Sequence, residues 1–346
     1  MVMEDAMTTE LAFALITPYS LAKSRTGGII GRLISQAQLD FVGARMYMPS
    51  DAFVDEYLDI IEDADIKQPY KSLFSTYIDD NLRPARAMAK GMTNRCMLLL
   101  FRGVDACRHL RDVIGSPTPR PQGDTIRGTY GDCVARGNDI LYFEPAVLTA
   151  SDPATNRRTL ALLAKYAEKD GGALDNRMPK ASRAKSETTL VMLKPDNFFK
   201  RSSRPGNIID MFSKTGLTIV GAKLFRMSVA QGIEFYGFLE EIFVNKLGFL
   251  VANKLKEKLT GAFDYAVEED EYAAMAEVLK RKNAHREFCK IVEFMTGRNP
   301  DAFVSAKQRR EPGSAMCLAL IYTGENAIEK IRAKLVNAKL GAAAAT

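Results

Sequence analysis

One pattern of residues is written twice in this chain, so its fold must bury the same arrangement of apolar runs in two places. Leu11-Ala-Phe-Ala-Leu-Ile-Thr-Pro18 matches Thr189-Leu-Val-Met-Leu-Lys-Pro195. Gly28-Ile-Ile with Phe41-Val-Gly-Ala-Arg45 matches Gly206-Asn-Ile-Ile with Ile219-Val-Gly-Ala-Lys223. Met48-Pro-Ser and Tyr57 match Met227-Ser and Tyr236. Farther on, Cys96-Met-Leu-Leu-Leu-Phe-Arg-Gly103 matches Cys317-Leu-Ala-Leu-Ile-Tyr-Thr-Gly324. Gly28 falls against Gly206 but Cys96 against Cys317, so the second copy carries roughly 43 extra residues between Tyr236 and Ala315.

Each copy reads as strand, helix, strand, helices, strand, helix. The first strand is a short apolar run, Leu11–Ile16 or Leu190–Leu193, ended by proline. Ile29, Ile30, Leu33 and Ile34, and likewise Ile208, Ile209 and Phe212, recur near helical spacing. The next strand is Phe41–Met48 or Leu217–Met227, and Ser50 and Ser228 stand where a helix N-cap belongs. Strands alternating with helices predict an α/β (α+β) fold, with an open sheet and helices packed on it. The simplest arrangement is a ferredoxin-like βαββαβ unit, duplicated in tandem.

The predicted division is a first domain over 8–168, a linker over 169–187 and a truncated second domain over 188–340. The linker is rich in Gly, Ala, Ser and Lys and is expected to be exposed and mobile. A helical insert over about 240–285 is expected in the second domain. There Leu247, Leu250, Val251, Leu255 and Leu259, then Tyr272, Met275, Val278 and Leu279, form stripes expected to pack. The 346 residues suffice for two cores, and 48 Lys+Arg against 42 Asp+Glu leave +6, too mild to favour nucleic acid as a partner. Five cysteines without a CxxC pair read as reduced thiols. The acidic start MVMEDAMTTE and the lack of a long apolar stretch predict a cytoplasmic protein that does not enter a membrane.

At Val191-Met-Leu-Lys194-Pro195-Asp196 the chain resembles the nucleoside diphosphate kinase family, whose first strand ends in Lys-Pro-Asp. The likeness continues through Gly221, Tyr236 and Tyr322-Thr-Gly-Glu-Asn-Ala-Ile-Glu-Lys-Ile-Arg332. In the first copy it runs through Arg111, Gly115-Ser-Pro-Thr118 and Thr125-Ile-Arg127-Gly128. The resemblance implies a nucleotide site, Mg²⁺ bridging the phosphates of a nucleoside di- or triphosphate, homo-oligomers, and ping-pong transfer through a phosphohistidine. Cationic groups and a hydroxyl suit such chemistry because they stabilise charge on a moving phosphoryl group. Imidazole suits it as a nucleophile that is neutral near pH 7.

The histidine is where the chain departs from the family. Its two histidines, His109 and His285, both lie away from the position the resemblance assigns. One alignment puts Leu141 there and keeps Asn138; the other puts Thr149 there, before Ser151-Asp152, and implies an inserted hairpin around Ala135–Asn138. The first copy keeps Arg111, Thr118, Arg127 and Asn138 but has Thr17 and Tyr19 for the lysine and aspartate. The second keeps Lys194, Asp196, Tyr236 and Arg332 but ends before the remaining motifs. A composite site would unite these halves, and loss of constraint would leave the same pattern. Structural roles compete for each residue: Arg111 and Arg332 suit a last helical turn, and Asp152 suits a helix cap. No metal ligand set is predicted. The expected function is nucleotide binding with weak or absent phosphoryl transfer. The alternatives are transfer by another route, such as Glu144, and a scaffold role.

Overall fold

Strand β1 (Thr9–Ile16) is buried on both faces over its last five residues, which is why it reads as a continuous apolar run rather than an alternation. The computed structural model describes residues 9–118, 123–137, 139–172, 186–302 and 305–343; Asn138 and 173–185 of the expected linker lie outside them. After β1 come α1 (Thr26–Gln36), β2 (Asp40–Tyr47), α2 (Asp51–Asp63), α3 (Tyr70–Leu82), β3 (Cys96–Val104) and α4 (Ala106–Ile114). Then follow α5 (Ile126–Tyr130), the hairpin β4 (Asp132–Arg136) and β5 (Asp139–Glu144), β6 (Val147–Leu148), α6 (Pro153–Lys165) and β7 (Gly171–Gly172). The hairpin falls where an insertion around Ala135–Asn138 is expected, with Arg136 opposite Asp139.

The second half supplies β8 (Ser186–Leu193), α7 (Arg204–Asp210), β9 (Thr218–Phe225) and, after a helical stretch, β10 (Cys317–Glu325) and α12 (Ala327–Ala343). The main sheet is antiparallel and runs β6-β1-β3-β2-β9-β10-β8, with β7 also on β2. With the separate β4-β5 hairpin left out, its first four strands stand in the order fourth, first, third, second of their half, the ferredoxin-like arrangement. Its last three stand second, third, first of theirs, and among the described residues no fourth strand of that half joins this sheet. Arg45 of β2 pairs with Lys223 of β9 where the halves join. A continuous core runs across that junction, from Phe13, Leu33 and Phe101 to Phe212, Leu318 and Tyr322.

Helices α1 and α7 meet beside this junction through glycines. A Cβ on Gly206 would collide with the Gly27 carbonyl and the Gly31 backbone, and one on Gly27 would lie 2.6 Å from the Gly206 carbonyl. Only backbone atoms stand in the way, so nothing can swing aside. Gly206→Ala would ordinarily gain about 1 kcal/mol in helix propensity. Here it is expected to lose about 1–3 kcal/mol by overpacking, read as a lowered urea midpoint.

The described chain divides into two compact units, Phe225–Cys317 being one and the rest of the chain the other. The smaller is helical: α8 (Val229–Tyr236), α9 (Phe238–Lys246), α10 (Gly248–Leu259) and α11 (Glu269–Thr296). Val229, Phe288, Cys289 and Val292 are its core. The apolar stripes foreseen here are only partly used: Val251 and Tyr272 are buried, whereas Val278 and Leu279 are exposed. Helix α11 is 28 residues long and needs packing along only part of its length. Ser50 and Ser228 both cap their helices, Ser228 in a reciprocal capping box with Gln231. Among the described residues no helix is long and apolar enough to cross a membrane, and all five cysteines are free thiols.

Candidate functional site

The turn after α4 places the site's central cation. Gly115 takes φ of +86°, a conformation that favours glycine, and a Cβ there would run into Thr125. Thr125 caps α5 by accepting from the Gly128 amide at 3.1 Å. The Gly115 carbonyl thereby comes to accept from Arg127 Nη1 at 2.5 Å, while Arg127 Nη2 donates to the Val147 carbonyl at 3.1 Å. The guanidinium carbon lies 5.2 Å from the centre of the Phe74 ring. Its Nε is buried with no partner among the described residues. Burial lowers the Arg127 pKa to about 10, still far enough above neutrality to keep the cation.

Arg127 forms part of the wall of a cavity of about 340 Å³ enclosed by α2, α3, the end of α4 and the segment after β6. Arg111 enters the same cavity and donates from Nη1 to the Ser151 carbonyl at 2.7 Å. Tyr57, Tyr70 and Phe74 supply aromatic wall, and Lys67 adds a third cation against the single carboxylate of Asp65. The Tyr57 ring is 2% exposed and burial pushes its hydroxyl pKa well up. Larger hollows of about 490 and 780 Å³ contain neither arginine. A partly apolar cavity with converging cations suits a ligand that joins a flat ring to phosphates.

Of the residues singled out in the sequence, the cavity gathers Arg111, Arg127 and Thr149. Thr149 donates its hydroxyl to the Phe13 carbonyl at 2.8 Å, so that proton is already committed to the backbone. Leu141 is 65% exposed on β5 and lines the 780 Å³ hollow instead. Thr118 lines a void of about 30 Å³ that also touches Arg127 and Glu144. Asn138 lies outside the described residues. Lys194 is exposed between β8 and Pro195, and Arg332 is exposed on α12; neither lines the cavity. Tyr236 belongs to the helical unit, half-buried with its ring 4.9 Å from that of Phe235, and burial raises its pKa. The two halves' candidate residues are therefore not gathered in this cavity.

No histidine lines the cavity. His109 is half-buried on α4, and His285 is in the helical unit. Lys67 and Tyr70 are cavity residues that motif reading passes over. A cation and an aromatic ring in the Lys67-Gln-Pro-Tyr70 turn, between two amphipathic helices, were the available signal. Asp152 accepts from the Ala154 and Thr155 amides at 2.8 and 2.9 Å, the helix-cap role considered for it.

No protein-family model matches the chain, and no curated protein does. Solved structures are similar to part of it. The nucleoside diphosphate kinase of Aquifex aeolicus aligns at 16% identity and a TM-score of 0.33, covering 45% of this chain and 95% of that one. The Halobacterium salinarum enzyme in complex with CDP aligns at 21% identity and TM-score 0.33, covering 49% and 95%. The Borrelia burgdorferi enzyme with bound vanadate and ADP aligns at 14% and 0.32, covering 52% and 95%.

Proposed function

We propose that the cavity around Arg127 binds a nucleoside di- or triphosphate and that the chain transfers phosphoryl groups feebly or not at all. The reading rests on one observation above the others. Arg127 is fixed in the wall with its two terminal nitrogens on carbonyls and with no carboxylate partner among the described residues, beside a second arginine. A half-buried cation with no carboxylate against it among the described residues is a natural seat for an anion. The orphaned Nε has almost no accessible surface, so a phosphate would meet the guanidinium through its terminal nitrogens. Mg²⁺ would arrive on the phosphates, as hard cations commonly do, with Asp65 the one carboxylate of the lining.

The transfer step lacks its carrier. Neither imidazole reaches the cavity, and the threonine at the resemblance's histidine position spends its proton on a carbonyl. Loss of a covalent nucleophile costs about 10⁴-fold in rate, or roughly 5 kcal/mol of barrier. The carboxylate route is disfavoured too, because Glu144 is immobilised by three donors. On this reading the halves are diverged copies of one unit, 8–168 and 188–340 joined by 169–187, in which the first retains the pocket. The protein would work as a nucleotide-binding pseudoenzyme of the cytoplasm.

Two measurements test it. Titration with ADP and Mg²⁺ should raise the unfolding midpoint saturably, by about 2.7 kcal/mol of stabilisation at a hundredfold excess over Kd. Incubation with γ-labelled ATP should leave no acid-labile, base-stable label on the protein. A flat titration would instead favour the scaffold reading, and a phosphohistidine would overturn the pseudoenzyme.

A further inference from the structure

The helical unit gathers four metal-ligating or metal-supporting side chains that the nucleotide reading leaves unused. His285 and Cys289 are one turn apart on α11, so they project from the same face. Asp301 approaches from the short turn Pro300–Ala302, and Glu240 from α9. One ligand atom each from His285, Cys289 and Asp301 lie within 4.8 Å of one another. The separations are specific. His285 Nε2 is 3.4 Å from Cys289 Sγ and 3.2 Å from an Asp301 oxygen, and Sγ is 3.7 Å from the other Asp301 oxygen.

The N···S and N···O separations are close to the edges of a tetrahedron around zinc, and a small turn of the Asp301 carboxylate would bring one oxygen to both. With Zn–N and Zn–O near 2.0–2.1 Å and Zn–S near 2.3 Å, tetrahedral angles require about 3.6 Å for N···S and S···O and about 3.3 Å for N···O. The remaining ring nitrogen is already held: His285 Nδ1 lies 2.8 Å from a Glu240 oxygen. A carboxylate on the second ring nitrogen fixes the tautomer that leaves Nε2 with its lone pair toward a metal. Cys289 is rooted in the core of the helical unit at 6% exposure, while the imidazole and the Asp301 carboxylate face solvent. The site therefore has a fixed soft ligand and an open approach.

We propose that His285 Nε2, Cys289 Sγ and Asp301 bind a single Zn²⁺ in the helical unit, with Glu240 as a positioning residue and a fourth position left to water. On binding, the Cys289 S–H bond breaks, a sulfur–metal bond forms and the proton passes to solvent. Any proton on Nε2 is released likewise, and Nδ1–H stays on Glu240. One thiolate, one imidazole and one carboxylate suit zinc better than magnesium or calcium, which prefer oxygen alone. The site is independent of the nucleotide cavity and stands whether or not that reading does.

Co²⁺ is the probe, because a tetrahedral thiolate site colours it. The full chain, stripped with chelator and reduced, should bind one equivalent and show visible tetrahedral bands with a near-ultraviolet sulfur-to-cobalt charge-transfer band. Zn²⁺ should bleach both, since it outcompetes cobalt at such ligands. Cys289→Ser should lose the charge-transfer band, and Glu240→Gln should keep it but weaken affinity about 10–100-fold. Far-UV circular dichroism of each apo variant checks that the helices remain. Should Cys289→Ser unfold, His285→Gln serves in its place, with loss of the tetrahedral bands expected. Only the pale spectrum of hydrated cobalt in the wild-type chain, or a charge-transfer band that survives in a folded Cys289→Ser, overturns the assignment.

Discussion

Glu144→Ala is expected to destabilise the protein by about 3–5 kcal/mol, measured as a fall in urea midpoint with little change of slope. The Glu144 carboxylate is 3% exposed and accepts from Thr17 Oγ1 at 2.9 Å, Tyr77 Oη at 2.8 Å and the Ala146 amide at 3.1 Å. Truncation strands three donors in the interior and leaves a hole beside Phe143, whose ring sits edge-on to that of Tyr77 at 6.4 Å. Glu144→Gln removes the charge but keeps an acceptor, so it should cost much less. The two variants separate packing and hydrogen bonding from charge.

The same residue carries a pH signature of definite sign. Burial raises the Glu144 pKa, against the downward pull of the hydrogen bonds from Tyr77 and Thr17. A carboxyl whose folded pKa stands above its unfolded one binds its proton more tightly in the native state. Its contribution is therefore fully present below the unfolded pKa and is lost as pH rises through the folded value. Surface carboxylates in ion pairs, such as Glu56, whose pKa the hydrogen bond from Lys165 lowers, work in the opposite direction and are common to both proteins. Comparing wild type with Glu144→Gln cancels them. Acidification through the folded pKa should shift the comparison toward wild type, and a pH-independent difference would contradict the burial account.

Glu144 also shows where sequence reading stops. Its place near the expected transfer site makes it a candidate nucleophile in the sequence, whereas its actual partners come from Thr17 and Tyr77, 127 and 67 positions away. Nothing in the local residues specifies such pairings. The strands were legible because β1 and β3 are buried on both faces and so are written as unbroken apolar runs. Ser50 and Ser228 were legible because capping is a contact across three residues. Arg111 and Arg127 were legible through motif order, but the cavity that unites them was not. Lys67 and Tyr70 reach it from a turn whose position depends on how α2 packs on α3. The zinc-like cluster was equally hidden: His285 and Cys289 share a helical turn, while Asp301 and Glu240 join them only after the helices pack.

Arginine substitutions in the cavity should divide binding from folding. Arg111 is exposed along α4 and makes one bond to a carbonyl, so Arg111→Ala is expected to change stability by no more than about 0.5 kcal/mol. If its guanidinium meets a phosphate, the lost charge-assisted bond is worth about 1.5–3 kcal/mol, which weakens ADP binding by roughly 10–150-fold. Arg127→Ala should do both things at once. It leaves the Gly115 and Val147 carbonyls unpaired and removes the side chain stacked on Phe74, a loss of about 2–4 kcal/mol. It also takes the central cation from the site, so its ADP affinity should fall further than that of Arg111→Ala. Arg127→Lys keeps the charge but cannot span both carbonyls, so it should recover binding only in part. Calorimetric titration with ADP and Mg²⁺, at a temperature where circular dichroism shows each variant folded, ranks them. A folded Arg111→Ala that binds ADP as tightly as wild type would remove the phosphate from this end of the cavity. If folded Arg127→Ala binds equally well, the cavity is no nucleotide site, and Arg127 is there to hold the Gly115 and Val147 loops together.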